Sequence, residues 1–518
     1  MTATLARPTG DKITAQFTTR RFVRDTLFAN LPLPFLKLRT YVWLLVFTAT
    51  MGMAGYGQWS LFSTTLGIAT QVASLYLGAA MMRFLSGERT VEEMRAAWST
   101  VLATVLATSG LAAVFFAVCS VPLASAIFHD AGTAGLVALV GASLVCDLVY
   151  EQERGFLRAR RANRPWAFLT LARLFPETAV TILVAWSTGS VRDVAIAYCA
   201  CSAASAIGGM FLLHRVFRVG FARPQWSVFI RYVSYGAALL PGALVFLIAS
   251  SADRYIVAAY LDMQQVGVYV TTVTVAAVVF FFVGPINDVL FPELSALYDA
   301  NEPAMFRRRF TGIQKFILGL SAGFAALLLA FPEDVLFLAT SGRSSSGAGA
   351  LRVMGVQGLL MGLVTLYVAV LNVELRVWTS MLVWKVLAAT ILILDFVLIP
   401  PMGILGAAIA QLAGTVTAVS LAFYFNGGLL RQSFSPLWPM QLACGCILLA
   451  GVRFLWPAPD DALAIVVRLA VAAIAYWAGL IVSGYVAAGE LRVLVAAIGP
   501  ARWSAPATVP AERSDRLL

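Results

Sequence analysis

Long apolar windows recur along the whole chain and are separated by short segments that carry charge, glycine and proline. About 20 apolar residues are needed for a helix to cross a bilayer, so the pattern predicts a membrane protein of 14 helices. The predicted spans are residues 30–50, 58–82, 97–119, 134–153, 166–186, 193–213, 232–252, 266–290, 312–331, 352–373, 379–399, 403–425, 438–456 and 463–487.

Basic residues are concentrated in every second connection between the predicted spans. With the N-terminus placed in the cytoplasm, 27 of the 37 Lys and Arg residues lie in inner segments, four in outer segments and six within spans. Because cytoplasmic segments are enriched in Lys and Arg, we predict that both termini are cytoplasmic. The first apolar run comes too late for a signal peptide.

The connections between spans are too short for a folded domain outside the membrane. The pattern predicts six segments: a cytoplasmic N-terminal segment (1–29), a six-helix bundle (30–213), a cytoplasmic linker (214–231), a second six-helix bundle (232–427), two additional helices (438–487) and a cytoplasmic tail (488–518).

Composition narrows the class of protein further. The chain has 518 residues, of which 60% are hydrophobic and 12% charged, with a mean hydropathy of +0.84. These values exclude a soluble enzyme, a disordered scaffold and a coiled coil. The net charge of +11 is explained by basic cytoplasmic loops, and no nucleic-acid partner is expected. The six cysteines lie in apolar stretches, and the two histidines are far apart, so no metal site or catalytic triad is predicted.

The chain repeats weakly at an offset of 210 residues. The segments 55–59 (GYGQW) and 265–269 (QVGVY) each place an aromatic residue two positions after a glycine, at the outer end of an apolar helix. Because the offset equals six spans, the two halves have the same orientation and are related by an axis along the membrane normal. That arrangement is typical of transporters whose substrate site lies between the halves.

Several short motifs give the chain a family resemblance. The segment 55–57 with Arg83-Phe84, the segments 253–256 (DRYI), 266–269 (VGVY) and 291–295 (FPELS), and the segment 403–408 (GILGAA) occur in the order seen in polysaccharide exporters and O-antigen flippases. The chain therefore resembles the multidrug/oligosaccharidyl-lipid/polysaccharide (MOP) exporter superfamily over about residues 20–430. The sequence departs from the family at 48–52 (TATMG), where a Thr-Arg pair is common.

The resemblance implies a MATE/MurJ-like fold. It is an all-α polytopic architecture with two six-helix bundles, related by a pseudo-twofold axis along the membrane normal, plus two extra C-terminal helices. The resemblance also implies a central cavity and alternating access. Members with 14 helices are typically flippases for lipid-linked saccharides, whereas drug antiporters typically have 12 helices.

Basic residues inside spans are candidates for binding a diphosphate, because a charge in the bilayer needs a cavity or a partner. The candidates are Lys37, Arg39, Arg83 and Arg173. For Lys37 and Arg39, a pair that snorkels to the inner surface is the alternative. Arg173 and Glu177 share a helix face at i, i+4, which fits a structural ion pair or a gated, substrate-contacting pair.

Acidic residues inside spans are candidates for a coupling ion or a gate. They are Asp147, Glu177, Asp253, Asp288 and Asp395. Neither a catalytic residue nor a cofactor is predicted, and the coupling ion is H⁺ or Na⁺.

The sequence therefore predicts a secondary transporter rather than an enzyme. Its predicted function is to move undecaprenyl-diphosphate-linked oligosaccharides across the bacterial cytoplasmic (inner) membrane, for O-antigen, exopolysaccharide or capsule synthesis. Its partners would be this lipid-linked substrate, membrane lipids, and a polysaccharide polymerase with other biosynthesis proteins, and the protein would be a monomer. The alternatives are a cation-coupled multidrug or metabolite antiporter, a peptidoglycan-precursor flippase and, with least support, a membrane polysaccharide polymerase or ligase.

Overall fold

The computed structural model describes residues 28, 30–85, 90–218, 220–249, 251–342, 346–457, 459 and 461–486. Within the helices, side chains are described except at 245, 246, 248, 249, 280–289 and 431. The segments predicted as an N-terminal extension (1–29) and a tail (488–518) lie outside the described residues, apart from Phe28. "Inner" and "outer" below refer to the sides predicted to face the cytoplasm and the exterior.

The N-terminal half is a bundle of helices joined by short turns. Its helices are α1 (Pro32–Ala73), α2 (Leu77–Phe84), α3 (Val91–Val118), α4 (Ser120–Ile127), α5 (Ala134–Ala159), α6 (Asn163–Thr188) and α7 (Val191–Phe217). The start of α3 is set by Thr90 and Glu93, whose side chains each accept a hydrogen bond from the other's backbone N–H.

The C-terminal half has twelve helices among the described residues. Its helices are α8 (Trp226–Ala249), α9 (Ala252–Tyr260), α10 (Met263–Ala276), α11 (Val278–Asp299), α12 (Pro303–Ala330), α13 (Pro332–Thr340), α14 (Ala348–Val373), α15 (Val377–Met402), α16 (Ile404–Phe425), α17 (Gly427–Ser433), α18 (Trp438–Leu455) and α19 (Ala462–Val482).

The predicted fold class, an all-α polytopic membrane protein, is confirmed. Within the described part of the chain, ten helices are long and apolar enough to cross a membrane, or eleven if the bent pair α1–α2 counts as one span. Helices occupy all fourteen predicted windows, and the count of fourteen stays a prediction. The window 58–82 is interrupted where Leu75 and Tyr76 adopt positive φ, and the window 266–290 is divided at Ala277.

Helix α1 covers one predicted span and most of the next, and the two parts fold back on each other at Gly52. A straight helix would separate Trp43 and Trp59 by about 24 Å, yet their ring centroids lie 5.5 Å apart. Gly52 is the residue with non-helical torsions, φ 73° and ψ −178°. Glycine is suited to this reversal because it has no Cβ to clash at positive φ.

The two halves meet closely where α1 crosses α10 at the outer side. Gly57 and Gly267, which are 210 residues apart, lie against the backbone of the opposite helix. A Cβ on Gly57 would lie 2.9 Å from the Gly267 nitrogen, and one on Gly267 would lie 2.6 Å from the Met53 carbonyl carbon. Small residues permit such close packing of membrane helices, and this contact closes the outer side.

Hydrogen bonds between the halves add to this contact. Arg254 in α9 donates to the Thr64 hydroxyl at 2.7 Å, and the hydroxyls of Thr65 and Tyr255 lie 2.7 Å apart. The Nε2 of His129 lies 2.7 Å from the Ala258 carbonyl oxygen. These bonds fix the α9 segment against the N-terminal half.

Helices α18 and α19 are docked on α12 and α13 by specific polar contacts. Arg468 in α19 donates to Asp334 at 2.8 Å, and both side chains are buried. The Tyr476 hydroxyl donates to the Gly319 carbonyl at 2.6 Å. The extra helix pair is therefore a fixed part of the C-terminal half.

A second group of salt bridges lies at the start of α13. Glu333 accepts from Arg352 at 2.5 Å and from Arg453 at 3.3 Å. Partial burial acts to raise the pKa of Glu333, but a backbone hydrogen bond and the two arginines outweigh it, so this pKa is lowered.

Candidate functional site

A cavity of about 640 Å³ opens within the N-terminal half, between α1, α2, α5, α6 and α7. It extends from Trp59, near the middle of the bundle, to Met82 and Arg158 at the inner end. Its wall combines aromatic rings with charged groups, a combination suited to a solute that is polar in one part and anionic in another. The aromatic and charged lining residues are Trp43, Trp59, Phe62, Tyr76, Tyr150, Tyr198, Arg39, Arg154, Arg158, Arg173, Asp147 and Glu151.

Two arginines predicted as diphosphate ligands converge on one buried carboxylate. Glu177, which is fully buried, accepts from Arg39 at 2.5 Å and from Arg173 at 2.7 Å. Arg39 and Arg173 line the cavity. Helix α6 presents Arg173 and Glu177 on one face, as their spacing predicts, and Pro176 lies between them inside the helix.

Asp147 extends the cluster to α5 and α7. It accepts from Arg173 at 2.6 Å, from the Tyr198 hydroxyl at 2.7 Å and from the Ser202 hydroxyl. Two guanidinium groups and two carboxylates therefore neutralise each other at the centre of the bundle. Removing one partner from such a buried group leaves an uncompensated charge, which costs about 3–5 kcal/mol.

Aromatic side chains hold Arg39 at the edge of this cluster. Its guanidinium carbon lies 4.3 Å from the centre of the Trp43 ring, and the Trp43 indole donates to the Thr181 hydroxyl at 3.1 Å. The Arg39 Nε has no hydrogen-bond partner among the described residues. This Nε is itself buried, so the part of Arg39 that reaches the cavity is the rest of its side chain, which is 24% exposed.

The other two cationic candidates lie elsewhere. Lys37 lines a separate crevice of about 220 Å³ between the halves, together with Tyr41 and Arg254. Arg83 is exposed at the inner end of α2 and does not line the large cavity. The structure thus brings together two of the four predicted cations, Arg39 and Arg173, and leaves Lys37 and Arg83 apart.

Three acidic candidates lie in the C-terminal half, and the side chains of two of them are described. Asp253 accepts from the Tyr269 hydroxyl at 2.6 Å and from the Gln411 amide at 3.3 Å. Asp395 is fully buried, and its carboxylate has no hydrogen-bond partner among the described side chains. The side chain of Asp288 lies outside the described residues.

A second cavity, of about 760 Å³, lies beside these acidic residues. Its wall is mostly apolar, with Asp253, Lys385 and Gln411 among its polar members. In the described part of the chain, no three His, Cys, Asp or Glu residues form a group that could hold a metal ion.

Several residues of the site carry no recognisable signal in the sequence. Tyr198 and Ser202 are ordinary polar residues of an apolar window, and nothing in their spacing points to Asp147. Glu153 is fully buried against Gly209, and neither of its oxygens has a hydrogen-bond partner in the described structure. Because Glu153 precedes an arginine-rich segment, it resembles a loop charge in the sequence, and no local pattern marks it as buried.

Solved structures of MOP-superfamily proteins share this fold. The lipid II flippase MurJ, in an inward closed conformation, matches with a TM-score of 0.71 at 12% identity, covering 92% of this chain and 99% of MurJ. An inward-facing multidrug resistance MATE family transporter of the MOP superfamily gives a TM-score of 0.58 at 14% identity, covering 75% and 94%. The MATE multidrug transporter DinF-BH gives a TM-score of 0.56 at 15% identity, covering 82% and 98%.

No curated protein matches the sequence significantly. The family comparison gives a direct result: a model of a family described as "Polysaccharide biosynthesis protein" matches residues 56–338. This match covers more than half of the chain and includes the outer crossing, most of the charge cluster and the Asp253 segment. The chain is a multi-pass membrane protein with the MOP-superfamily fold, and it belongs to this polysaccharide biosynthesis protein family.

Proposed function

We propose that the protein is a flippase that moves a polyprenyl-diphosphate-linked oligosaccharide from the inner to the outer leaflet of a bacterial cytoplasmic membrane. The observation that carries this proposal is the cavity of the N-terminal half. Its wall offers guanidinium groups for a diphosphate and aromatic rings for sugars, and the Gly57–Gly267 crossing lies at its outer side. Such a cavity shields polar groups from lipid while the apolar tail remains in the bilayer.

The mechanism is alternating access. The closed outer crossing and the large cavity toward the inner end are features of one end state, in which the substrate is taken up from the cytoplasmic leaflet. Opening of the crossing would expose the cavity to the outside. Arg39 is the residue we assign to the diphosphate, because its side chain lines the cavity and is 24% exposed there.

We assign ion coupling to the C-terminal half. A buried carboxylate without a partner is stable when it binds a proton or a cation, and Asp395 has no hydrogen-bond partner in the described structure. Asp253, which lines the apolar cavity, is the second coupling residue. Transport by Asp395→Asn should lose its dependence on an imposed H⁺ or Na⁺ gradient, and retained dependence would reject this assignment.

The experiment that tests the proposal is genetic. Cells that lack the gene should lose surface polysaccharide and accumulate the lipid-linked unit in the inner leaflet, and the wild-type gene should restore export. The triple variant Lys37→Ala, Arg39→Ala, Arg83→Ala should fail to restore export. Since Arg39→Ala also removes a partner of the buried Glu177, the triple Lys/Arg exchange Lys37→Arg, Arg39→Lys, Arg83→Lys, which keeps every charge, should insert and restore part of it. Normal export by the triple alanine variant would contradict the role of cations in binding an anionic substrate.

Helices α18 and α19 are proposed to position the polyprenyl tail. Because a polyprenyl chain gains little from a helix groove over bilayer lipid, the value of such a groove is to keep the tail out of the polar cavity. A chain truncated after Gly427 should insert but fail in export. Wild-type export by this truncated protein would reject the tail assignment.

The second candidate is a cation-coupled multidrug or metabolite antiporter. The apolar cavity of about 760 Å³ in the C-terminal half favours it. It predicts that deletion of the gene raises sensitivity to apolar cations and leaves surface polysaccharide intact. A peptidoglycan-precursor flippase is a variant of the main proposal, and lethality of the deletion with arrested peptidoglycan synthesis would select it.

A further inference from the structure

Arginine side chains and aromatic rings alternate along the inner half of the cavity wall. The guanidinium carbon of Arg173 lies 4.5 Å from the centre of the Tyr150 ring. That of Arg154 lies 5.7 Å from the same ring and 5.4 Å from the Trp166 ring. That of Arg158 lies 4.5 Å from the Trp166 ring. This series of contacts, here called the arginine–aromatic ladder (Arg173, Tyr150, Arg154, Trp166 and Arg158), runs from the central charge cluster to the inner mouth of the cavity.

The charges along this ladder are not equally compensated. Arg173 is neutralised by Asp147 and Glu177 in the centre of the bundle. Arg154 is paired with Glu151 at 2.8 Å, and that carboxylate is half-exposed. Among the charged cavity-lining side chains that the structure describes, Arg158 is the one that forms no salt bridge with an acidic residue. The positive charge of this cavity is therefore concentrated at its inner mouth.

The two arginines of the mouth stand on rigid supports. Trp166 and Tyr150 are buried, with 1% and 3% of their surface exposed. Such rings hold the two guanidinium groups in place. Arg154 donates one N–H to Glu151 and its Nε is buried, so Arg158, which forms no salt bridge with the described acidic residues, offers the mouth its guanidinium N–H groups. Gln152 of the same helix lines the cavity at 2% exposure, and its Oε1 has no hydrogen-bond partner in the described part of the chain.

Arg154 and Arg158 also repel each other. They are one turn apart on α5, where side chains of like charge face each other and destabilise the helix. An anion between them would relieve this repulsion and accept charge-assisted hydrogen bonds from both. Two adjacent guanidinium groups match two linked phosphates better than a single carboxylate.

We propose that Arg154 and Arg158, supported by Trp166, form a binding site for the diphosphate of the incoming lipid-linked substrate at the inner mouth of the cavity. This site is separate from Arg39, which lies deeper in the cavity. The inference rests on the proposed function for the identity of the substrate, whereas the chemistry recognised, a diphosphate ester, follows from the side chains. The mouth site would hold the diphosphate before it passes to the centre of the bundle.

A binding experiment tests the site without transport. The full-length protein in phosphatidylcholine nanodiscs is titrated with farnesyl diphosphate, and the Kd is measured by microscale thermophoresis. Arg158→Gln and Arg154→Gln should each weaken binding by about tenfold or more, and Arg158→Lys should retain part of it, since Lys supplies charge without the planar fork. Farnesol should not compete.

The control variant is Arg215→Gln. Arg215 stacks on Phe211 at 5.7 Å near the inner end of α7, but it does not line the cavity. Its replacement should leave the Kd unchanged. Equal thermal stability of all variants checks that the mutations leave the fold intact.

Two results would overturn the proposal. One is an unchanged Kd in Arg158→Gln. The other is loss of farnesyl diphosphate binding when phosphatidylglycerol is added to the nanodiscs, because the site would then take any anionic headgroup. Failure of the proposed function is distinguishable from failure of the site. Diphosphate binding that depends on Arg158, in a protein that moves no substrate, would keep the site and reject the flippase. An unchanged Kd in Arg158→Gln, in a protein that does move the substrate, would reject the site alone.

Discussion

The outer crossing of α1 and α10 is the feature whose perturbation should have the clearest consequence. In Gly267→Ala the new Cβ would lie 2.6 Å from the Met53 carbonyl carbon, whereas an ordinary contact begins near 3.4 Å. The obstructing atom belongs to the backbone, so no side-chain rotation can relieve the clash. The Met53 carbonyl oxygen lies closer still to this Cβ than the carbon does. The helices must therefore separate by more than about 1 Å, and the separation acts only in the state with the outer side closed.

The size of the shift between the closed and open states follows from the free-energy cost of overpacking the crossing. One extra methyl group in a well-packed contact costs about 1–3 kcal/mol. If the open state does not contain the contact, this cost shifts the equilibrium toward it by about 5- to 150-fold. Gly57→Ala, whose Cβ would lie 2.9 Å from the Gly267 nitrogen, should act in the same direction.

The assay is thiol labelling from outside in a cysteine-free background. Ser63→Cys places the reporter in the wall of the cavity, where an impermeant maleimide reaches it only when the outer side opens. Gly267→Ala should raise the labelling rate. The matched control is Gly67→Ala in α1, where a Cβ meets no atom within 4 Å. Equal labelling in Gly267→Ala and Gly67→Ala would refute the reasoning.

Three further predictions concern the ion pairs. Glu177→Gln should lower the melting temperature, because it removes the carboxylate shared by two arginines at a cost of about 3–5 kcal/mol; the exposed Glu92→Gln should not, and equal melting temperatures would contradict the role of the cluster. Arg468→Ala leaves Asp334 buried without its cation, so the melting temperature should fall; an unchanged value would show that α19 docks without this pair. Because the pKa of Glu333 is lowered in the folded protein, its salt bridges are intact above its ordinary pKa and are lost as the pH falls through the lowered pKa. Glu333→Gln should therefore reduce the loss of thermal stability that the wild-type protein shows below about pH 4. An equal loss of thermal stability in the variant and the wild type would contradict this assignment.

The membrane-spanning helices were predictable from the sequence, because a long apolar window in a bilayer must form a helix to satisfy its backbone hydrogen bonds. The orientation of Arg173 and Glu177 was predictable as well, since i, i+4 spacing fixes a shared face. The contact between Arg39 and Glu177 was not, because it joins residues 138 positions apart. Tertiary packing of α1 on α6 decides it, and no local pattern reports that packing.

The charges at the inner end of α5 show a second limit of the sequence. The predicted span 134–153 places Arg154 and Arg158 in the cytoplasmic connection that follows it, as the positive-inside rule suggests. In the structure α5 continues to Ala159, so these residues lie on the helix that forms the cavity wall. A charge count gives the side of the membrane on which a segment lies, but it does not tell a loop from the end of a helix.

The central claim, that the protein moves a lipid-linked saccharide between leaflets, is tested most directly by reconstitution. Proteoliposomes carry a fluorescent polyprenyl-diphosphate oligosaccharide on both leaflets, and a membrane-impermeant glycosidase cleaves only the outer pool. The account predicts that wild-type protein brings cleavage to completion, and that Arg39→Ala leaves the inner pool protected. Cleavage that stops at the outer pool with correctly inserted wild-type protein, under imposed H⁺ and Na⁺ gradients, would contradict it.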